Sequence, residues 1–182
     1  MCNRFKVFRP FSIFLSSSKA SISLLATLGL LLPSCTFNPP LQGKGVEELQ
    51  GEWQQDTSAI QQKLVNYSLY RYKFDCDSFF VQIQTHSKVN YGDDTCMRAG
   101  HWTEYAKGGY KLRHDTLRLT GLFCNADFSY KDPGGCFRSG NYEEHFKILK
   151  KTDSLYQFTI TSGIVPFNVR LKKKITCSPK AL

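Results

Sequence analysis

Apolar and polar residues alternate with a period of two along most of the chain after Gly51. In "YSLYRYKF", Tyr70, Tyr72 and Phe74 share one face, while Leu69, Arg71 and Lys73 share the other. In "SFFVQIQTH", Phe79, Val81 and Ile83 oppose Phe80, Gln82 and Gln84. This alternation predicts half-buried strands, because successive side chains of an extended chain point to opposite faces. The stretch "GGYKLRHDTLRLTGLF", residues 108–123, predicts a hairpin: Tyr110 and Leu112 lead into a turn at His114 and Asp115, then Leu117, Leu119 and Phe123 resume the inward face. A second hairpin spans 144–160, with Phe146 and Ile148 before a polar turn at Thr152 and Asp153 and with Tyr156, Phe158 and Ile160 after it. A last strand alternates Val165, Phe167, Val169 and Leu171 with Asn168, Arg170 and Lys172. Segments near Trp53 and at 68–75, 79–88, 101–106, 109–113, 116–124, 127–131, 137–150, 154–162 and 165–176 amount to eight to ten strands. Residues 57–67 alone have helical spacing, through Ile60, Leu64 and Tyr67.

Short antiparallel strands with a turn every 8 to 12 residues imply a sandwich or a barrel. Hairpins here follow one another without long crossovers, and closure removes exposed edges, so an all-β, up-and-down antiparallel barrel with one short helix is the expected fold.

The chain before Gly51 obeys a different pattern. Arg4, Lys6, Arg9 and Lys19 precede the apolar run "ASISLLATLGLLL", residues 20–32, which is followed by Pro33, Ser34 and Cys35. A helix of this length reaches about 20 Å, well short of a hydrocarbon core of roughly 30 Å, so a signal segment is favoured over a permanent span. Leu32, Pro33, Ser34 and Cys35 resemble the cleavage motif of bacterial lipoproteins, in which an aliphatic and a small residue precede the acylated cysteine. The resemblance implies a signal peptide over 1–34, diacylglycerol on Cys35, and a lipid bilayer as partner. Two or more acyl chains anchor firmly, since each buried methylene contributes about 0.8 kcal/mol. Residues 35–48, with Pro39, Pro40, Gly43 and Gly45, then read as a lipidated tether, and 49–182 as the folded domain. The implied location is the bacterial cell envelope, with the outer membrane favoured and the domain in the periplasm or at the cell surface.

Composition changes meaning once that segment is set apart. The chain has 182 residues and a formal charge of +9, but Arg4, Lys6, Arg9 and Lys19 are the only charges in 1–34, which leaves +5 on the remainder. The other cations are interleaved with acids, apart from Lys172, Lys173 and Lys174, so a nucleic-acid partner is not expected. The lysine run is read as a solvated strand edge, with an anionic surface as the alternative.

Seven cysteines become five structural candidates after Cys2 and Cys35 are set aside: Cys76, Cys96, Cys124, Cys136 and Cys177. An oxidising compartment favours pairing. Cys76 with Cys96 and Cys124 with Cys136 would leave Cys177 free, whereas Cys136 with Cys177 would strand Cys124; spacing does not choose. Cys76 lies between Asp75 and Asp77, which disfavour a reactive thiolate. No Cys-x-x-Cys, glycine-rich phosphate loop or Gly-x-Ser-x-Gly elbow is present, and His86, His101, His114 and His145 form no ligand pair. Asp93 and Asp94 sit in a Gly-containing turn and read as solvated. No catalytic residue, cofactor or metal is therefore assigned.

"LQGEWQ", residues 49–54, resembles the opening Gly-x-Trp of lipocalin-type barrels, and residues 108–121 resemble a hairpin of small lipocalin-like bacterial lipoproteins. The resemblance implies that Trp53 lies across the closed end of a barrel. "FDCDSFF", "GHWTEYAKGGY" and "GGCFRSGNY" are similar to short exported lipoproteins of unknown activity, some of which are named fumarate hydratase. The chain has no Gly-Ser-Ser-x-Met-Pro stretch of the kind fumarases use, so that name carries no catalytic residue to it. Inward aromatics are the chemical asset present in quantity: Tyr70, Tyr72, Phe74, Phe79, Tyr110, Phe158 and Phe167 either fill the barrel or line a site for a small hydrophobic ligand. The alternatives are a structural or protein-interaction lipoprotein that binds no ligand, and, less favoured, an enzyme.

Overall fold

Eight strands follow one another around the sheet in the order of the sequence: β1 (Gly51–Gln55), β2 (Asn66–Asp75), β3 (Ser78–Ser87), β4 (His101–Arg113), β5 (Thr116–Cys124), β6 (Asn141–Thr152), β7 (Leu155–Ile160) and β8 (Phe167–Lys174). All neighbours are antiparallel, and β1 pairs with both β2 and β8, so the sheet closes into the expected up-and-down barrel. The structure, a computed structural model, describes residues 42–92, 94–97 and 99–179. The expected signal peptide, Cys35 and Asp93 lie outside these residues.

The strand count settles at eight for two reasons. The segments 101–106 and 109–113 are one strand, β4, which runs through Gly108 and Gly109. Gly108 lies directly opposite Gly121 on β5, and a Cβ on either would stand 2.2 or 2.0 Å from a carbonyl oxygen of the neighbouring strand. The two bare backbones let the sheet coil tightly at this point. Residues 127–131 form no strand; a single bridge joins Cys124 to Tyr130. The helix expected over 57–67 shrinks to α1 (Ala59–Lys63), started by a capping box between Ser58 and Gln61. Its apolar spacing marks no core face, for Ile60 and Leu64 are exposed.

The two ends of the barrel differ. At one end, tight turns close the hairpins at 76–77, 114–115 and 153–154, and residues 42–50 cross over it, including a 3-10 helix at Glu47–Leu49. At the other end lie the long connections 56–65, 88–100, 125–140 and 161–166. Disulfides fasten both ends. Cys76–Cys177 ties a tight turn to the segment after β8, and Cys96–Cys136 ties two long loops together, leaving Cys124 as a buried free thiol. These pairs differ from each of those considered from spacing, because barrel closure brings together residues 101 and 40 positions apart.

Inward positions are aromatic and aliphatic, whereas outward positions such as Arg71, Lys73, Lys107, Lys111 and Arg118 are exposed. This is the reverse of the polar-inside, apolar-outside pattern of membrane-spanning barrels. Lys172, Lys173 and Lys174 run past the point where β7 stops pairing, so one side of this stretch is an edge, as their type suggested.

Candidate functional site

All seven inward aromatics expected from the sequence point into the barrel, and most of them meet. Tyr70, Tyr72 and Phe74 form a stacked ladder up β2, with ring centroids 5.7 and 5.9 Å apart. Phe158 and Phe167 pack against it from β7 and β8, at 5.7 Å from Tyr72 and 5.8 Å from Tyr70 respectively. Phe74 meets Tyr110 at 4.9 Å, and Phe79 meets Tyr142 at 5.6 Å. With Tyr72, Phe74, Phe79 and Phe158 no more than 1% exposed, the middle and closed end of the barrel are packed with rings.

The closed end is held by polar contacts under the 3-10 helix. Trp53 is buried; its Nε1 donates to the Leu49 carbonyl at 2.7 Å, and its ring meets the edge of Tyr156. Gln50, also buried, donates from Nε2 to the Cys76 carbonyl at 2.7 Å and accepts the Cys76 N–H at Oε1 at 2.6 Å. Tyr110 joins them, its hydroxyl donating to the same carbonyl and accepting from the Val46 N–H. Tyr110 thus serves the closed end and is not available to a ligand.

The long-loop end has a different chemistry. A cavity of about 460 Å3 opens there, lined by Ser68, Thr85, Met97, Trp102, Glu104, Phe137 and Arg138. Glu104 points inward from β4, in step with Ala106 and Tyr110, and its side chain is 5% exposed. Arg138 reaches it from the 125–140 loop through Nε and Nη2 at 2.9 and 2.8 Å, and its backbone N–H adds a third bond. Burial alone raises the Glu104 pKa, but these bonds and the guanidinium charge together hold it below the usual carboxylate value. The same guanidinium lies 4.7 Å over the ring of Phe123, a cation–π contact.

Beneath this pair, β2 and β6 face each other across the barrel axis and present Tyr70 and Tyr72 against Tyr142 and Glu144. Burial pushes the Tyr70 hydroxyl up to about 12 and raises Tyr72 and Tyr142 further, with Glu144 adding to all three. Glu144 is itself raised by burial, which Arg138 and His145 partly offset. The hydroxyls of Tyr72 and Tyr142 and Nε2 of Gln55 are buried with no hydrogen-bond partner. Unpaired polar groups of this kind cost about 1–3 kcal/mol each.

Sequence reasoning missed Glu104, Arg138, Tyr142, Glu144 and Gln55. Three of them carried a signal: Glu104 shares parity with Ala106 and Tyr110, and Tyr142 and Glu144 with Phe146. Among the histidines, His114 is a turn residue at φ 54° and His145 bonds Glu143 on the outer face. Asp94 accepts the N–H groups of Cys96 and Met97, a turn role. The thiol of Cys124 has its pKa raised by burial, the opposite of an activated nucleophile. Among the described residues, no group of three or more His, Cys, Asp or Glu side chains is placed to hold a metal ion. In comparisons with known proteins, no family model matches the chain, and no curated protein and no solved structure is significantly similar to it.

Proposed function

We propose that the chain is a lipid-anchored protein of the bacterial envelope that takes up a small ligand, apolar in part, at the long-loop end of its barrel. The observation that carries the reading is the opposition of the two ends. The N-terminal segment approaches the barrel at the closed end, where residues 42–50 bond to its turns. The cavity that holds the Glu104–Arg138 pair stands at the other. Six residues lie between Cys35 and Gln42, and the seven Cα steps span at most about 25 Å. An acylated Cys35 therefore keeps the closed end near the bilayer, and the mouth faces the aqueous side. Lys44, Lys151, Lys172 and Lys173 are exposed on the bilayer-facing end. The ligand sits in the mouth and not deeper, because rings fill the barrel below it.

Two measurements test the reading. Labelling with a fatty-acid analogue is expected to reach the wild type and not Cys35→Ser, which remains unprocessed; equal labelling of both sinks the anchor. The chain has two tryptophans, one at each end of the barrel, so ligand uptake reads directly in Trp102 emission. A shift on adding an apolar probe, lost in Trp102→Phe and kept in Trp53→Phe, is expected. No shift with any probe favours the second reading, a structural or interaction lipoprotein, to which the ring-filled interior lends support.

A further inference from the structure

The loop that forms one side of the mouth is strained at its centre and fastened at few points. Residues 134–140 belong to no strand or helix, and all but Phe137 are exposed. Phe137 has φ 69°, a left-handed conformation that costs an aromatic residue about 1–3 kcal/mol. Gly134 at φ 100° and Gly140 at φ 82° bound the segment, and a Cβ on either would meet nothing within 4 Å. Both can therefore turn without striking a neighbour. Strain of this kind persists only where the surroundings hold the backbone, and here the holders can be named. The Phe137 ring lies parallel to that of Trp102, with centroids 6.1 Å apart. Arg138 is bonded to Glu104 through its side chain and its backbone N–H. Lys131 Nζ donates to the carbonyls of Cys136 and Arg138 at 2.6 and 2.9 Å. The covalent holder is the Cys96–Cys136 bridge, whose second sulfur is on the residue next to Phe137.

The two bridges of the protein differ in access. Cys76 is fully buried at the closed end, whereas Cys136 is exposed and lines a second cavity of about 480 Å3 together with Lys131 and Phe137. A dithiol reductant in solution can reach the Cys136 sulfur. One of its thiolates attacks Cys136 Sγ, and the Cys96 thiolate leaves and takes a proton. The second thiol of the reductant then displaces Cys136 as it closes its own disulfide, so the bridge gains two electrons and two protons and the dithiol loses them. What remains on the strained segment is a ring contact and the bonds of Arg138 and Lys131. The Arg138 side chain is 54% exposed, so water competes for its donors. Phe137 and Arg138 also line the mouth, facing Ser68, Thr85 and Trp102. From this arrangement we infer that residues 134–140 are a redox-released strap. The bridge holds Phe137 and Arg138 in place as one wall of the mouth, and its reduction lets the strap turn away about its glycines, uncovering Trp102 and dismantling the ligand site. Only that last consequence rests on the reading of the long-loop end as a binding mouth.

The test uses the full chain in phosphatidylcholine vesicles and acrylamide quenching of tryptophan emission. Trp53 is 1% exposed and contributes little, so the Stern–Volmer slope reports on Trp102. In the Cys96→Ser, Cys136→Ser double variant the slope is expected to rise about twofold or more. Affinity for 2-phenylethanol, read from Trp102 emission, is expected to fall about tenfold, the loss when one molecule in ten keeps the strap down. Should that variant not fold, the wild type is treated with dithiothreitol. Iodoacetamide is then expected to label Cys96 and Cys136 before Cys76 and Cys177, with the slope rising in step. A slope that stays at the bridged wild-type value in the double variant, or in wild type labelled at Cys96 and Cys136, overturns the strap, as does opening of both bridges together. A raised slope with no 2-phenylethanol bound to the bridged form upholds the strap and removes the mouth alone.

Discussion

Removal of Gln50 gives the sharpest test of how the closed end is built. Cys76 occupies the first position of a tight turn at φ 56°, a conformation that residues other than glycine rarely adopt, and it is fully buried. Gln50 brackets it, accepting its N–H at 2.6 Å and donating to its carbonyl at 2.7 Å. In Gln50→Ala the carbonyl keeps the Tyr110 hydroxyl at 2.8 Å, but the N–H is left buried without an acceptor. That costs about 1–3 kcal/mol, and the lost bonds to the carbonyl and to Tyr110 add about 1 kcal/mol each. A total of about 3–5 kcal/mol corresponds to a fall in melting temperature of about 10–15 °C for a domain of about 140 residues. Urea and thermal unfolding of the oxidised protein measure it, with Gln84→Ala on the exposed outer face of β3 as the control, expected within about 0.5 kcal/mol of wild type. Gln50→Glu keeps the acceptor but sets a charged oxygen against the Cys76 carbonyl, and is expected to be no better than the alanine variant at neutral pH. A loss below 1 kcal/mol in Gln50→Ala, with an unchanged urea slope, refutes the bracket as a source of stability.

Three further outcomes follow from other parts of the barrel. Gly121→Ala places a Cβ 2.0 Å from the Lys107 carbonyl oxygen and should cost more than about 3 kcal/mol or prevent folding, whereas Gly135→Ala meets open space; equal expression and stability of the two contradicts the close approach of β4 and β5. Serine in place of Cys96 and Cys136 should lower stability by about 4 kcal/mol, and the Cys76 and Cys177 double variant by nearer 5 kcal/mol, since the closed loops hold 40 and 101 residues; urea titration under oxidising conditions ranks them. The two inward glutamates should respond to pH with opposite sign. Glu104, with a lowered pKa, contributes stability above the ordinary carboxylate range that is lost as pH falls through its folded value. Glu144, with a raised pKa, favours the fold in acid and loses that contribution as pH rises through its folded value. Glu104→Gln should therefore lower the urea midpoint at pH 7 and flatten the acid limb, and Glu144→Gln should raise it; a Glu144→Gln protein less stable than wild type at pH 7 reverses the assignment.

Alternation carried the barrel because a strand with one wet and one dry face leaves its period in the sequence. Tyr70, Tyr72 and Phe74, or Leu117 and Leu119, could be placed inward without knowing their partners, since burial on a closed sheet depends on parity alone. The errors fall where parity says nothing. Ile60 and Leu64 keep helical spacing in a five-residue helix that packs on nothing, because a local period does not reveal whether a face will be covered. The disulfides escaped for the same reason: Cys76 and Cys177 are neighbours only because β1 closes on β8, and closure is a property of the whole sheet.

The mouth divides along the same line, and the division explains why a set of aromatics stood out while the polar site did not. Glu104 and Glu144 were legible as oddities, charged residues on an apolar parity, and such positions are stable only when a partner or a ligand compensates them. The partner of Glu104 could not be read from the chain. Arg138 lies 34 residues away in an irregular loop, and what carries it to the mouth is the Cys96–Cys136 bridge two residues before it. Glu144 faces inward from β6 with no such loop residue bonded to it, and burial raises its pKa. A sequence that supplies one inward carboxylate with an internal cation and leaves the other without a hydrogen bond gives the two opposite responses to pH, and the paired glutamine variants measure that difference.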